Sequence, residues 1–295
     1  MTRIRSWTRM AIVAAVMSTV SLTSSLEAQQ GGQRTPRGDS LRQAQQLDSE
    51  GDHAAARRLF QTLIDNAPDP AAKAAAQRRM AMSHGFEGHC SETVRYEEMV
   101  IDYWKTREQA EPQTAFYQQG EMANEAARVC IDAGDPATAE RMYRRGSELG
   151  LKEPEPKTHP KSLWDYRLAH ALARLAARRG NKAEAERQVA EARRILDGDP
   201  KMAEQQERFY PYLTGYVALY TNDLAKADAE LKKAIAMEDN DRDPFMHALL
   251  GMTHEKMGHG EVAKEWYQKA YDLATGHNPP AVFTRPFARK KLAAP

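Results

Sequence analysis

The chain has 295 residues with 42 basic and 41 acidic side chains, a balance that argues against nucleic acid or an anionic membrane surface as its partner. Its mean hydropathy of −0.71 excludes a polytopic membrane protein. Alanine, glutamate, arginine, glutamine and leucine dominate while valine and isoleucine are scarce, a mixture that favours helices.

The first 28 residues differ from the rest. Arg3, Arg5 and Arg9 flank an apolar run from Met10 to Thr23, and Leu26-Glu27-Ala28 ends on a small residue, the layout of a signal peptide. The run is shorter than the ~20 residues that span a bilayer, which favours cleavage before Gln29 over a retained anchor. No cysteine follows directly, so a lipid anchor is not expected. The expected product is exported, either periplasmic or secreted, with no stable membrane insertion after cleavage. Residues 29–38 read as a disordered linker.

Helix signals then recur from 39 to 277. Asp69-Pro70, Asp135-Pro136, Asp199-Pro200 and Asp243-Pro244 each place a capping aspartate before a proline at the first helical position. Glu111-Pro112 opens a long helix that should reach Ala133. The string from Lys152 to Lys161 (KEPEPKTHPK) reads as an extended linker, and Ser162 to Asp165 as a capping box. Pro211 falls inside a helical pattern and should kink it. After Asn278-Pro279-Pro280, residues 278–295 form a short basic helix or tail, expected to cap the preceding array.

One spacing runs through these helices. Gly258, Ala263, Tyr267 and Ala270 stand at offsets 0, 5, 9 and 12, and so do Asn222, Ala227, Leu231 and Ala234. Gly180, Gly134 and Gly51 start further copies, and a weaker one surrounds Tyr96. Seven positions before each turn residue sits a small one: Ala44, Ala81, Ala127, Ala173, Gly215 and Gly251. This pattern resembles the tetratricopeptide repeat, a helix-turn-helix unit, although the turn-to-turn spacing of 36 to 46 residues exceeds the family's usual ~34. The resemblance implies an all-α, right-handed superhelical solenoid of about six repeats over 39–277. It also implies a non-enzymatic scaffold that holds a peptide or protein segment in a concave groove. The string from Leu59 to Met82 is similar to repeats in bacterial envelope-assembly proteins, such as Tol-system accessory and outer-membrane-assembly factors, which points to a role in the cell envelope.

In this family positions 2, 5, 9 and 12 of each first helix usually face the groove. Repeat four then contributes Arg167, His170 and Arg174, with Arg178 beside them. Repeat five contributes Phe209, Tyr212 and Tyr216, with Tyr220, and repeat six contributes Phe245 and Met252. A basic patch would adjoin an exposed aromatic ladder suited to carboxylates and apolar side chains. The tyrosines could equally pack between neighbouring helices. In the same register Cys90 opens one helix and Cys130 lies near the end of the next, so an exported protein could bridge them. They could also be two separate buried residues.

No catalytic motif is present: no Gly-x-Ser-x-Gly, no phosphate-binding loop, no Cys-x-x-Cys-His. No cofactor is expected. His254-Glu255-x-x-x-His259 is one residue too long for the His-Glu-x-x-His zinc site. Five residues turn a helix by roughly 140°, against about 40° for four. Gly258 between them marks a helix end instead. Met246, His247, Met252, His254, Met257 and His259 still crowd together, and a copper or zinc carrier or an enzyme accessory using this cluster is the alternative reading.

Overall fold

The computed structural model describes residues 36–294; the leader and most of the 29–38 segment lie outside the described residues. Compact units divide between Asp39 and Ser40. Pro36–Gly38, expected as disordered linker, are already helical, as the opening turn of the first helix.

Among the described residues there are fourteen α-helices, two short 3-10 turns and no strand. They run α1 (Pro36–Glu50), α2 (His53–Asp65), α3 (Pro70–Phe86), α4 (Cys90–Lys105), α5 (Pro112–Asp132), α6 (Pro136–Gly150), α7 (Lys161–Arg178) and α8 (Lys182–Gly198). Then follow α9 (Pro200–Gln206), α10 (Tyr210–Tyr220), α11 (Leu224–Ile235), α12 (Pro244–Lys256), α13 (Gly260–Leu273) and α14 (Pro279–Leu292). Successive helices pack as antiparallel pairs, and the pairs stack into an α-solenoid. No described helix is long and apolar enough to cross a membrane.

Local chemistry explains the punctuation. Asp69, Asp135, Asp199 and Asp243 each accept backbone N–H bonds from the first turn of the helix they precede, with proline just inside it. Turns within pairs need a left-handed residue, which glycine and asparagine adopt at least cost: φ is +72° at Gly180 and +64° at Asn222. The small residues seven positions earlier let paired helices touch. A Cβ added at Gly251 would lie 2.5 Å from Tyr267 Cδ1, and one at Gly215 would lie 2.8 Å from Leu231 Cγ.

Three local expectations are corrected. Pro211 does not merely kink a helix; α9, a 3-10 turn (Glu207–Phe209) and α10 are separate elements. Proline lacks an N–H and clashes with the carbonyl four residues back, so the ladder breaks there. Ser162 caps nothing: α7 starts at Lys161 behind Pro160, and the Ser162 hydroxyl donates to Asp199. The 152–161 segment is a closed turn, not an extended linker. The buried Glu153 carboxylate gathers Thr158 Oγ1 at 2.8 Å and His159 Nδ1 at 2.9 Å.

The C-terminal helix departs furthest from expectation. It does cover the last pair: Phe287 packs edge-on against Tyr267, and Lys291 reaches Glu255 at 2.6 Å. But α14 also runs back across the inner face to α3 and α5. A Cβ on Gly85 would sit 2.7 Å from Val282 Cγ1, so the glycine in α3 is what admits α14. Arg285 and Arg289 donate to the backbone carbonyls of Ser49 and Glu50 at the C-terminal end of α1. Cations are favoured there by the helix dipole and by carbonyls with no partner in the helix.

Candidate binding cavity

The first helices of successive pairs meet around a cavity of about 360 Å³. Its wall comes from α5 (Glu121, Asn124, Glu125, Arg128), from α7 (Tyr166, Arg167, His170, Arg174), and from Tyr143, Gln206, Phe209 and Tyr212. Asn278-Pro279-Pro280, leading into α14, closes one side.

Two guanidiniums set the character of this space. Arg174 is only 6% exposed and its hydrogen bonds go to neutral groups: the Tyr143 hydroxyl at 3.1 Å, the Tyr212 hydroxyl at 3.4 Å and the His170 carbonyl. Arg128 lies 4.5 Å over the Phe245 ring and its Nε has no hydrogen-bond partner. Among the described residues neither makes an ion pair within 4.0 Å. The carboxylates in the wall are already engaged: Glu121 with Arg167, and Glu125 with Arg78. Asp132, one turn beyond Arg128, is buried with Oδ2 unpartnered and Oδ1 3.9 Å from Arg178. Burial pushes its carboxyl above the usual range, against the pull of Arg128, Arg178 and Arg174.

His170 completes the site. It is 8% exposed, and its Nε2 is buried without a hydrogen-bond partner. Burial, then the charges of Arg174 and Arg128, hold its pKa well below the ordinary imidazole value, so the ring is neutral at pH 7. The cavity thus presents two cations and a neutral imidazole, with tyrosine hydroxyls between them. That set can receive an anionic group of a ligand.

The structure brings five of the ten groove residues expected from sequence into this wall: Arg167, His170, Arg174, Phe209 and Tyr212. The others are distributed differently. Tyr216 and Phe245, each 1% exposed, belong to the core between α10 and α12, so the exposed ladder is corrected there: packing of neighbouring first helices covers those rings. Tyr220 accepts a hydrogen bond from Arg178 at 2.9 Å, and Met252 packs against the Tyr267 cluster under α14. Arg174 and Tyr212 line the cavity but are buried rather than open to solvent.

Arg128 was missed, although the signal existed. Ala127 is the small residue of repeat three, and the rule used for repeats four to six, applied from it, gives Glu121, Asn124 and Arg128. The other chemistry-bearing residues settle as packing. His247 stacks on Trp266 and its Nε2 meets the Asp241 carbonyl at 2.8 Å, while His254 meets Asp228 at 3.0 Å. Among the described residues no group of three or more His, Cys, Asp or Glu is placed to hold a metal ion. Cys90 and Cys130 are bridged, with Cα atoms 4.8 Å apart, tying the start of α4 to the end of α5.

Residues 246–277 span most of α12, all of α13 and the loop beyond. They match the tetratricopeptide repeat family model. No curated protein matches the chain. The tetratricopeptide motif and the stacked helix pairs together describe a protein-binding α-solenoid.

Proposed function

We propose that the protein is an exported scaffold that holds a peptide or protein segment in its inner cavity, with a carboxylate of that segment received by Arg128 and Arg174. One observation carries the reading: both guanidiniums face the cavity with no carboxylate at ion-pairing distance, while the two glutamates of its wall are paired with other arginines. Bringing a charge out of water is costly unless it is matched, so such a wall favours an occupant that supplies the missing anion. The volume suits a terminal residue or one side chain, not a folded domain. A role in envelope assembly follows the likeness of the Leu59–Met82 string and is part of this proposal.

A fluorescein-labelled octapeptide pool with aromatic C-terminal residues and no acidic side chains is the probe, so that its only peptide carboxylate is the C-terminal one. Its free-acid form should bind the wild type more tightly than its amidated form, and Arg128→Gln should weaken free-acid binding about tenfold. That loss, about 1.4 kcal/mol, is close to the lower end of what one charge-assisted hydrogen bond contributes. Equal binding of acid and amide, or an Arg128→Gln variant that binds as the wild type does, overturns the reading.

Export is supported by the arginine-led apolar leader and by the Cys90–Cys130 bridge, since such bonds persist in oxidising compartments. Protein recovered from its native cell should begin at or near Gln29. A chain that retains Met1 in the cytosolic fraction would sink this part of the proposal.

A further inference from the structure

Groove positions in the solenoid fall into two sets. Eight of those in repeats three to five line the cavity, whereas some at each end of the stack meet α14 or its approach segment. At the N-terminal end, position 12 of repeats one and two is Asp48 and Gly85. Asp48 Oδ2 takes a hydrogen bond from His277 Nε2 at 2.8 Å, and Gly85 receives Val282. At the C-terminal end, Phe245 meets Phe283 with ring centroids 5.2 Å apart. A segment of the chain therefore occupies the surface on which the family architecture places a partner.

The fit of this occupant is incomplete. A cavity of about 170 Å³ remains beneath α14, lined by Gly85, Val129, Asp132, Val282, Phe283 and Phe287. Burial leaves Thr284 Oγ1, His277 Nδ1, Arg289 Nε and Asp132 Oδ2 without hydrogen-bond partners. A cleft and polar atoms without a protein partner both weaken an interface. The tether is short and non-helical, from Ala274 to Asn278, with Gly276 inside it, so α14 can swing without unwinding α13.

We infer that α14 is an autoinhibitory strap: it opens from the inner face as a unit while the helix pairs stay folded, and its opening exposes the cavity and the groove positions at both ends of the stack. Arg285 and Arg289 are its latch, because their hydrogen bonds to Ser49 and Glu50 join α14 to α1. This rests on the reading of the cavity as the binding site, but its first test needs no ligand.

Hydrogen exchange on the full chain at neutral pH reads the opening. Amides of α14 should exchange at least tenfold faster than those of α10 and α12, and Arg285→Ala with Arg289→Ala should speed α14 by a further tenfold while α5 to α10 keep their protection. Exchange of α14 at the rate of α12 in the wild type overturns the strap, whether or not the double variant folds. So does a folded double variant in which every helix accelerates together. The free-acid octapeptide pool then tests the gate: the double variant should bind it at least fivefold more tightly than the wild type. Unchanged affinity overturns the gate and leaves the cavity reading standing. If the pool binds neither protein, the carboxylate reading falls and the exchange result alone decides the strap.

Discussion

Replacing Arg174 by glutamate is expected to lower the stability of the protein by about 3–5 kcal/mol, the usual cost of breaking a buried charge arrangement. An arginine on an open groove, where the repeat register places Arg174, would contribute little to folding. The structure reverses the expectation. Arg174 lies between the Tyr143 and Tyr212 hydroxyls, and its cation ring contact extends to Tyr143 with the guanidinium carbon 5.4 Å from the ring centroid. It is also one of three guanidiniums that favour the charged form of buried Asp132. A glutamate there removes one of those cations and adds a second buried carboxylate. The melting temperature should fall by on the order of 10 °C, measured by calorimetry or circular dichroism. Arg174→Lys, which keeps the charge but loses the fork, should fall between the two. An unchanged melting temperature for Arg174→Glu would mean that the side chain is solvent-exposed and that the network around Asp132 has no energetic weight.

Opening the Cys90–Cys130 bridge is the second large effect. The bond closes a loop of 40 residues that contains nearly all of α4 and α5, and Cys130 is fully buried against the core shared by those helices. Releasing that constraint from the unfolded chain should cost about 4 kcal/mol in the chain-entropy account. The denaturation midpoint of the wild type in urea should drop on adding reductant, and Cys90→Ala with Cys130→Ala should reproduce the lower value. The double variant should not respond to reductant. A wild-type midpoint indifferent to reductant would show that the bridge is absent or contributes nothing.

Much of the architecture was legible because its causes are local. A left-handed turn at Gly180 or Asn222, an aspartate cap followed by proline, and alanines at helical spacing each act within a few residues, so their signals survive in the linear string. The cavity was partly legible for the same reason: Arg167, His170 and Arg174 share one face of α7 because that face is set by 3.6 residues per turn. Arg128 obeys the same periodicity and was accessible to the same rule.

What remained was decided in three dimensions. Periodicity says which residues share a face, but not whether the next helix covers that face or water does. Tyr216 and Phe245 are core because α10 and α12 close over them, a property of the stack's curvature rather than of either helix. The position of α14 lies further beyond local reasoning. Its contacts with Ser49 and Glu50 join residues 236 to 240 positions apart, and the basic tail that carries Arg285 and Arg289 would serve equally well as a solvated cap. By itself, then, the sequence determined the helix pairs, their turns and the face each helix turns inward, because these arise from backbone sterics and spacing. Only the tertiary structure decided that α14 lies across that inner face, because it depends on where six stacked pairs bring α1 and α14.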